Sequence, residues 1–358
     1  VKKEYYRNKI WIEGEVMKSK KKLISIVAAL FLVVSLAGCS QSQPAPEATP
    51  QPEPEQVEVQ KETMKIAALK GPTGMGMVQQ MENDELGESA IDYDISLLES
   101  PDDIVGKVIS KEIDIAAVPT NLALTLYNKT QGEVQLLAVN TLGVVYVLEN
   151  GQEVNSIADL KGKTMAASGK GATPDFVMQY ILKQNGMEQD KDVMVDFTLQ
   201  HADLAAAMAS GDVKLGMLPQ PHVTTAMMKN PDLRIALDIT AEYKAASGTD
   251  SDLPMGCIIV QKGFANEHKE LVQQFMDEYK ASVDFVNNES EKAATLMEKH
   301  KILPNAAVAL KAIPYSNIVY IEGVDAKDSL ASYYQILFDF EPKSIGGKLA
   351  DDGFYYQN

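Results

Sequence analysis

Four short runs in this 358-residue chain combine glycines, hydroxyls and amides, and each follows an apolar stretch and opens a helical pattern. They are Lys70-Gly71-Pro72-Thr73-Gly74-Met75, Pro119-Thr120-Asn121, Ser168-Gly169-Lys170-Gly171-Ala172-Thr173 and Pro219-Gln220-Pro221-His222. Glycine lets a backbone approach a bound molecule, and Thr73, Thr120, Ser168 and Thr173 set hydroxyls beside amide hydrogens that a helix start leaves unpaired. Such ends suit a carboxylate, a sulfonate or a similar anion, with Lys70 and Lys170 adding charge. Ordinary sheet-to-helix turns use the same residue types for capping, so the recurrence of the pattern carries the reading.

Other chemistries lack their residues. Gly71 to Met77 has no terminal Gly-Lys-Ser/Thr run, and Gly169-Lys170-Gly171 has no long glycine loop before it, which excludes nucleotide hydrolysis. His201, His222, His268 and His300 are scattered without His-x-x-x-His spacing; only His222 lies at a predicted mouth, and no metal or other cofactor is expected. Cys257, flanked by Ile258 and Ile259, reads as core packing and not as a nucleophile. The methionines, Met75 and Met255 among them, read as core or as an adaptable apolar lining. No catalytic residue is assigned.

The elements that must position these runs alternate. Strand patterns at 64–69, 92–98, 113–118, 134–139, 163–167, 193–197, 213–218 and 233–237 are separated by helical stretches, which implies an α/β fold with parallel-rich sheets covered on both faces. In such sheets ligands bind at the carboxyl ends of strands, where all four runs fall. Two long apolar segments, Thr141–Leu148 and Asp252–Val260, read as crossings between two lobes. The expectation is one lobe from residues 64–143 and 256–358 and a second from 144–255. Two lobes joined by two crossover strands can open and close.

The N-terminus has a separate logic. Lys18, Lys20, Lys21 and Lys22 precede an apolar run, Leu23 to Leu36, which ends at Leu36-Ala37-Gly38-Cys39. This is the build of an export signal over residues 17–38, too short for a stable membrane span. Residues 39–63, rich in Pro, Glu and Gln, read as a flexible tether. Residues 1–16 read as a leader translated by mistake, with Met17 the expected start. Removing residues 1–38 leaves 25 Lys/Arg (33 less 8) and 47 Asp/Glu (50 less 3), a net charge of -22 that repels nucleic acid. With Cys39 consumed, Cys257 has no disulfide partner.

Leu-Ala-Gly-Cys resembles the bacterial lipoprotein box, which implies lipidation of Cys39 and a body held at the extracytoplasmic face of the cell membrane. Within the body, Leu69-Lys70-Gly71-Pro72-Thr73-Gly74, Glu112-Ile113-Asp114-Ile115-Ala116-Ala117-Val118-Pro119-Thr120-Asn121, Ile157-Ala158-Asp159-Leu160-Lys161-Gly162-Lys163-Thr164 and the Gly211 to Pro219 stretch resemble ABC-importer solute-binding proteins of the nitrate/sulfonate/taurine and thiamine-precursor class. The likeness spans roughly residues 64 to 340. It implies a type II periplasmic-binding fold, a monomer that captures a small sulfonate, carboxylate, amide or pyrimidine-like molecule between its lobes, and a partner permease with a cytoplasmic ATPase. The ligand contacts it implies are Lys70, Thr73, Gly74, Thr120, Asn121, Thr141, Gly169, Thr173 and Gln220, to which the reading of the runs themselves adds Met75, Lys170 and His222. The first loop holds no aromatic residue, and Arg234, the one arginine after Cys39, lies away from the runs. An enzyme on the same fold and an accessory surface lipoprotein stay open as alternatives.

Overall fold

A computed structural model describes residues 61–248, 250 and 252–357. The leader, the signal, Cys39 and the tether before Lys61 lie outside the described residues. The strands in chain order are β1 (Thr63–Leu69), β2 (Asp92–Leu98), β3 (Ile115–Pro119), β4 (Val134–Thr141), β5 (Val145–Glu149), β6 (Thr164–Ala167), β7 (Met194–Asp196), β8 (Leu215–Pro219), β9 (Arg234–Asp238), β10 (Gly256–Gln261) and β11 (Ile318–Glu322).

They form two sheets, ordered β11-β4-β10-β3-β1-β2 and β7-β6-β8-β5-β9. In the first, β1 pairs parallel with β2 and β3, while β10 runs antiparallel between β3 and β4 and β11 is antiparallel to β4. In the second, β6 is parallel to β7 and β8, and β5 runs antiparallel between β8 and β9. Strands β1 to β4 therefore share one direction, as do β6 to β9. Each sheet carries its parallel set with one returning strand inserted, the α/β two-sheet pattern that alternating strand and helix signals imply.

The chain passes between the sheets where β4 gives way to β5 and again before β10. The first passage is tight. A Cβ on Gly143 would lie 1.7 Å from Oγ1 of Thr240, a residue of the helix Ile239–Ser247 that precedes the return. Only a residue without a side chain lets the two connections pack together there.

Helices cover the sheets for the reasons their sequences give. Ser100 caps the helix Pro101–Ile109 by accepting from the Asp102 amide at 3.3 Å, and Asp102 and Asp103 sit in its positive first turn. The helix Lys269–Asn288 buries Val272, Phe275, Met276, Tyr279, Val283 and Val286, spaced three and four apart, against Met64, Ile66 and Ala68 of β1. Each such side chain contributes roughly 1.5–3 kcal/mol when fully buried.

A second apolar cluster runs through residues of both sheets, including Val118, Val139, Val147 and Met217, and takes in Tyr333 and Tyr334 of the helix Lys327–Phe340. The Tyr334 hydroxyl donates to the Thr120 carbonyl (2.9 Å) and that of Tyr333 to Thr173 Oγ1 (3.2 Å). One C-terminal helix thus bonds to the helix starts that follow β3 and β6. Beyond it, the Tyr356 amide donates to the Leu136 carbonyl at 3.0 Å, fastening the chain end to β4.

Candidate ligand-binding site

The carboxyl ends of the co-directed strands converge on one cleft of about 370 Å³. Its first wall is built where β1 meets Lys70 to Thr73, where β2 meets Glu99 to Asp102, and where β3 ends at Pro119. Its second wall comes from Gly169 to Pro174 after β6, Phe197 to His201 after β7, and Pro219 to His222 after β8; Thr141, Val144, Met255 and Gly256 of the two connections form the floor. Helices of at least eight residues begin at Pro101, Thr120, Thr173, His201 and His222, so their unpaired amide hydrogens and positive ends gather around this space.

Positive φ appears where backbone must fold back against the cleft. Gly169 and Gly171 have φ of 83 and 74°, which seats Lys170 between them at the mouth. The Lys170 ammonium lies 5.9 Å from the Phe197 ring centroid, and no carboxylate among the described residues stands within ion-pair range of it. Lys70 differs, because its Nζ pairs with Glu99 Oε1 at 2.5 Å.

Of the residues named from sequence, Lys70, Thr73, Thr141, Gly169, Lys170, Gln220 and His222 line the cleft. Gly74 and Met75 lie beneath it, fully buried: the Gly74 Cα is packed so closely on the Leu69 carbonyl that an added Cβ would approach it to 2.6 Å, and Met75 faces the core. Thr120, Asn121 and Thr173 are buried; Asn121 and Thr173 bond to protein through their side chains, and Thr120 through its backbone, its Oγ1 having no hydrogen-bond partner among the described residues. Asn121 Nδ2 donates to the carbonyls of Gly171 (3.3 Å) and Ser344 (3.1 Å), while its Oδ1 accepts from Thr173 Oγ1 at 3.0 Å. Asn121 and Thr173 therefore fasten one wall to the other. The Gln220 side-chain carbonyl is engaged by Thr224, through its amide at 3.2 Å and its hydroxyl at 2.8 Å.

Sequence reading missed the loops after β2 and β7. They were not singled out among the helix-start runs, yet they bring Glu99, Asp102, Phe197 and His201 to the cleft. His201 and His222 stand together there, ring centroids 5.3 Å apart and planes 28° from parallel. His201 Nδ1 meets Ser168 Oγ at 2.5 Å. Burial holds both imidazoles neutral, with the His201 pKa lowered to about 4, and that of His222 to about 3 by burial and then by its neighbour.

Residues outside the cleft have structural roles. Cys257 is free and wholly buried, and burial pushes its thiol pKa well up. Arg234 pairs with the buried Glu149 at 2.6 Å and donates from Nε to the Gly151 carbonyl at 3.0 Å. No helix among the described residues is long and apolar enough to cross a membrane.

Two sheets joined by paired connections, with helix starts from both facing a shared cleft, define a solute-binding protein of the type II periplasmic-binding class. A family model described as "ABC transporter, phosphonate, periplasmic substrate-binding protein" matches residues 83–304, more than half of the chain. The chain belongs to that family: it is an extracytoplasmic solute-binding component of an ABC importer, and the family consists of substrate-binding proteins rather than enzymes, which deliver small ligands to ABC permeases. A curated relative, the putative binding protein YtlA of Bacillus subtilis (strain 168), is 23% identical over 276 residues, covering 75% of each chain. Among solved structures, an ABC transporter protein from Parabacteroides distasonis matches with a TM-score of 0.67 at 23% identity, covering 82% of this chain and 99% of its own. The aliphatic sulphonate binding protein SsuA from Escherichia coli matches with a TM-score of 0.65 at 17% identity, covering 82% and 92%. These likenesses accord with the sulfonate-class resemblance read from the sequence, and the family model adds a phosphonate description.

Proposed function

We propose that this protein captures a small organic monoanion with a flat or apolar body, and that lipid on Cys39 holds the monomeric protein at the membrane beside its permease. The observation that carries the ligand reading is the asymmetry of the two lysines. Lys170 has no carboxylate partner among the described residues, while Lys70 is paired with Glu99 and the second lining carboxylate, Asp102, sits in the positive first turn of its own helix, so the Lys170 ammonium is the lining cation left for an anion, beside several helix starts. A sulfonate, a carboxylate or a singly ionised phosphonate matches that charge. The absence of arginine from the lining fits a monoanion better than a fully ionised phosphonate, for which a bidentate guanidinium is the stronger partner.

The body of the ligand is read from the remaining lining. Phe197, His201 and His222 give one wall flat rings, and Leu69, Leu122, Pro72 and Pro119 give the other an apolar face. This supports a ring-bearing or branched solute and restores the aromatic character that the first loop lacks.

The test is thermal stabilisation of residues 61–358 by a panel of alkyl and aryl sulfonates, phosphonates, carboxylates and pyrimidines, repeated with Lys170→Ala. A ligand that binds only the folded state at about a hundred times its Kd adds roughly 2.7 kcal/mol. Stabilisation by monoanions that Lys170→Ala weakens supports the reading. Stabilisation only by uncharged compounds, or equal stabilisation of both proteins, contradicts it. Intact-mass analysis of membrane-extracted protein tests the anchor, with Cys39→Ser expected to release the body in soluble form.

A further inference from the structure

The paired imidazoles, whose planes lie 28° from parallel, do more than flatten one wall. His201 and His222 each open a helix, after β7 and β8, and successive strand-helix units bring them to the same edge of the second sheet. The hydrogen bond between His201 Nδ1 and Ser168 Oγ fixes that ring and leaves Nε2 as its available nitrogen. The His222 ring has no hydrogen-bond partner among the described residues. A hydroxyl on one nitrogen of an imidazole whose other nitrogen is available is the outer-shell arrangement that orients a metal-binding histidine.

The spacing fits. With metal–nitrogen bonds of about 2.0–2.1 Å and a tetrahedral angle, two coordinated imidazole centroids stand about 5 Å apart; here they stand 5.3 Å apart. Two nitrogen donors select zinc, nickel or copper over magnesium or calcium, which take oxygen. The positive ends of the two helices oppose a bare cation, so an anion completing the coordination sphere is required, and the monoanion reading puts one on the same wall, at Lys170.

We propose that His201 and His222 form a two-imidazole site for a borderline divalent transition-metal ion, whose remaining positions are taken by the anionic group of the solute or by water. It rests on the cleft reading above but not on the identity of the organic solute. The other close group of potential ligands, Glu82, Glu85 and His300, already holds the Lys299 ammonium, at 2.6 Å from Glu82 and 3.2 Å from Glu85, and is the natural control.

The experiment is calorimetric titration of chelator-stripped protein with zinc chloride alone, with magnesium chloride as control, and copper(II) electron paramagnetic resonance on the same sample. One zinc ion per chain, no heat with magnesium, and copper hyperfine structure from two nitrogens are expected. Ser168→Ala weakens zinc binding by about tenfold, and His222→Gln abolishes the site while Glu82→Gln leaves it intact. Absence of zinc binding, zinc binding unchanged in His222→Gln, or loss of binding in Glu82→Gln would overturn the proposal. If His201→Ala fails to fold, His222→Gln, on the first residue of its helix, still decides. Because no organic ligand is used, failure here leaves the monoanion reading standing, and failure of the panel leaves this site standing.

Discussion

Asn121 Nδ2 donates to the carbonyl of Gly171, from the helix start after β3 in one sheet to the loop after β6 in the other. The same amide group accepts from Thr173 Oγ1, which in turn accepts from the Tyr333 hydroxyl. Protein groups make this clasp, and the loop it holds presents Gly169 and Lys170 to the cleft. Residues that sequence placed on the ligand act one step back, on the shape of the wall.

Asn121→Ala therefore costs about 1–3 kcal/mol of stability, because it removes the bonds to the Gly171 carbonyl and to the Ser344 carbonyl, which keeps Thr125 Oγ1, and takes the acceptor from the buried Thr173 hydroxyl. Thr173→Ser retains the hydroxyl and loses only a buried methyl, a cost of about 1 kcal/mol. Chemical denaturation of the three proteins measures both, and equal stabilities would remove the clasp from the account.

Gly143→Ala drives a methyl group into Thr240 Oγ1, 1.7 Å from where its Cβ must sit. Overpacking of this kind costs about 1–3 kcal/mol or more. Thr240→Ala in the same chain recovers part of the loss, since it removes the nearest atom. A double-mutant cycle by thermal unfolding checks the coupling, and simple additivity of the two changes would deny that the connections touch there.

The histidine pair sets a pH limit. In the unfolded chain each imidazole takes a proton below about 6.5, whereas the folded values lie at about 4 for His201 and about 3 for His222. The unfolded state thus binds more protons between those limits, so folding stability is full above pH 6.5 and falls as pH drops from 6.5 towards 4. His222→Gln flattens that fall. Urea midpoints across this range measure it, and a midpoint that rises on acidification would contradict the burial of these rings.

Glu99→Gln frees Lys70 from its 2.5 Å ion pair and gives the cleft a second ammonium without a carboxylate partner. Affinity for an anionic ligand rises a few-fold at low salt, and the gain shrinks as ionic strength increases because the pair is well exposed. Titrations at two salt concentrations test it.

Much of the architecture is legible because strand and helix periodicities differ and glycine, proline and hydroxyls punctuate their junctions. Lys70, Thr73, Lys170 and His222, which line the cleft, carry that punctuation. Asn121 and Thr173 carry the same signal, but whether a polar group at a helix start faces a ligand or a second wall depends on which loop folding brings opposite, which no local pattern encodes. His201 and Phe197 were missed for the converse reason, since the proximity of their loop to His222 arises only when β6 pairs with both β7 and β8. The strand β11 and the chain end against β4 were likewise hidden, because their partners lie far away in sequence.

The central claim is that the solute is held between loops of both sheets at once. Backbone amide exchange, measured with and without the panel compound that stabilises the fold most, tests it directly. The account predicts slowed exchange in residues 70–75 and in residues 169–174 together. Protection confined to one of those loops, or lying elsewhere on the surface, would contradict it.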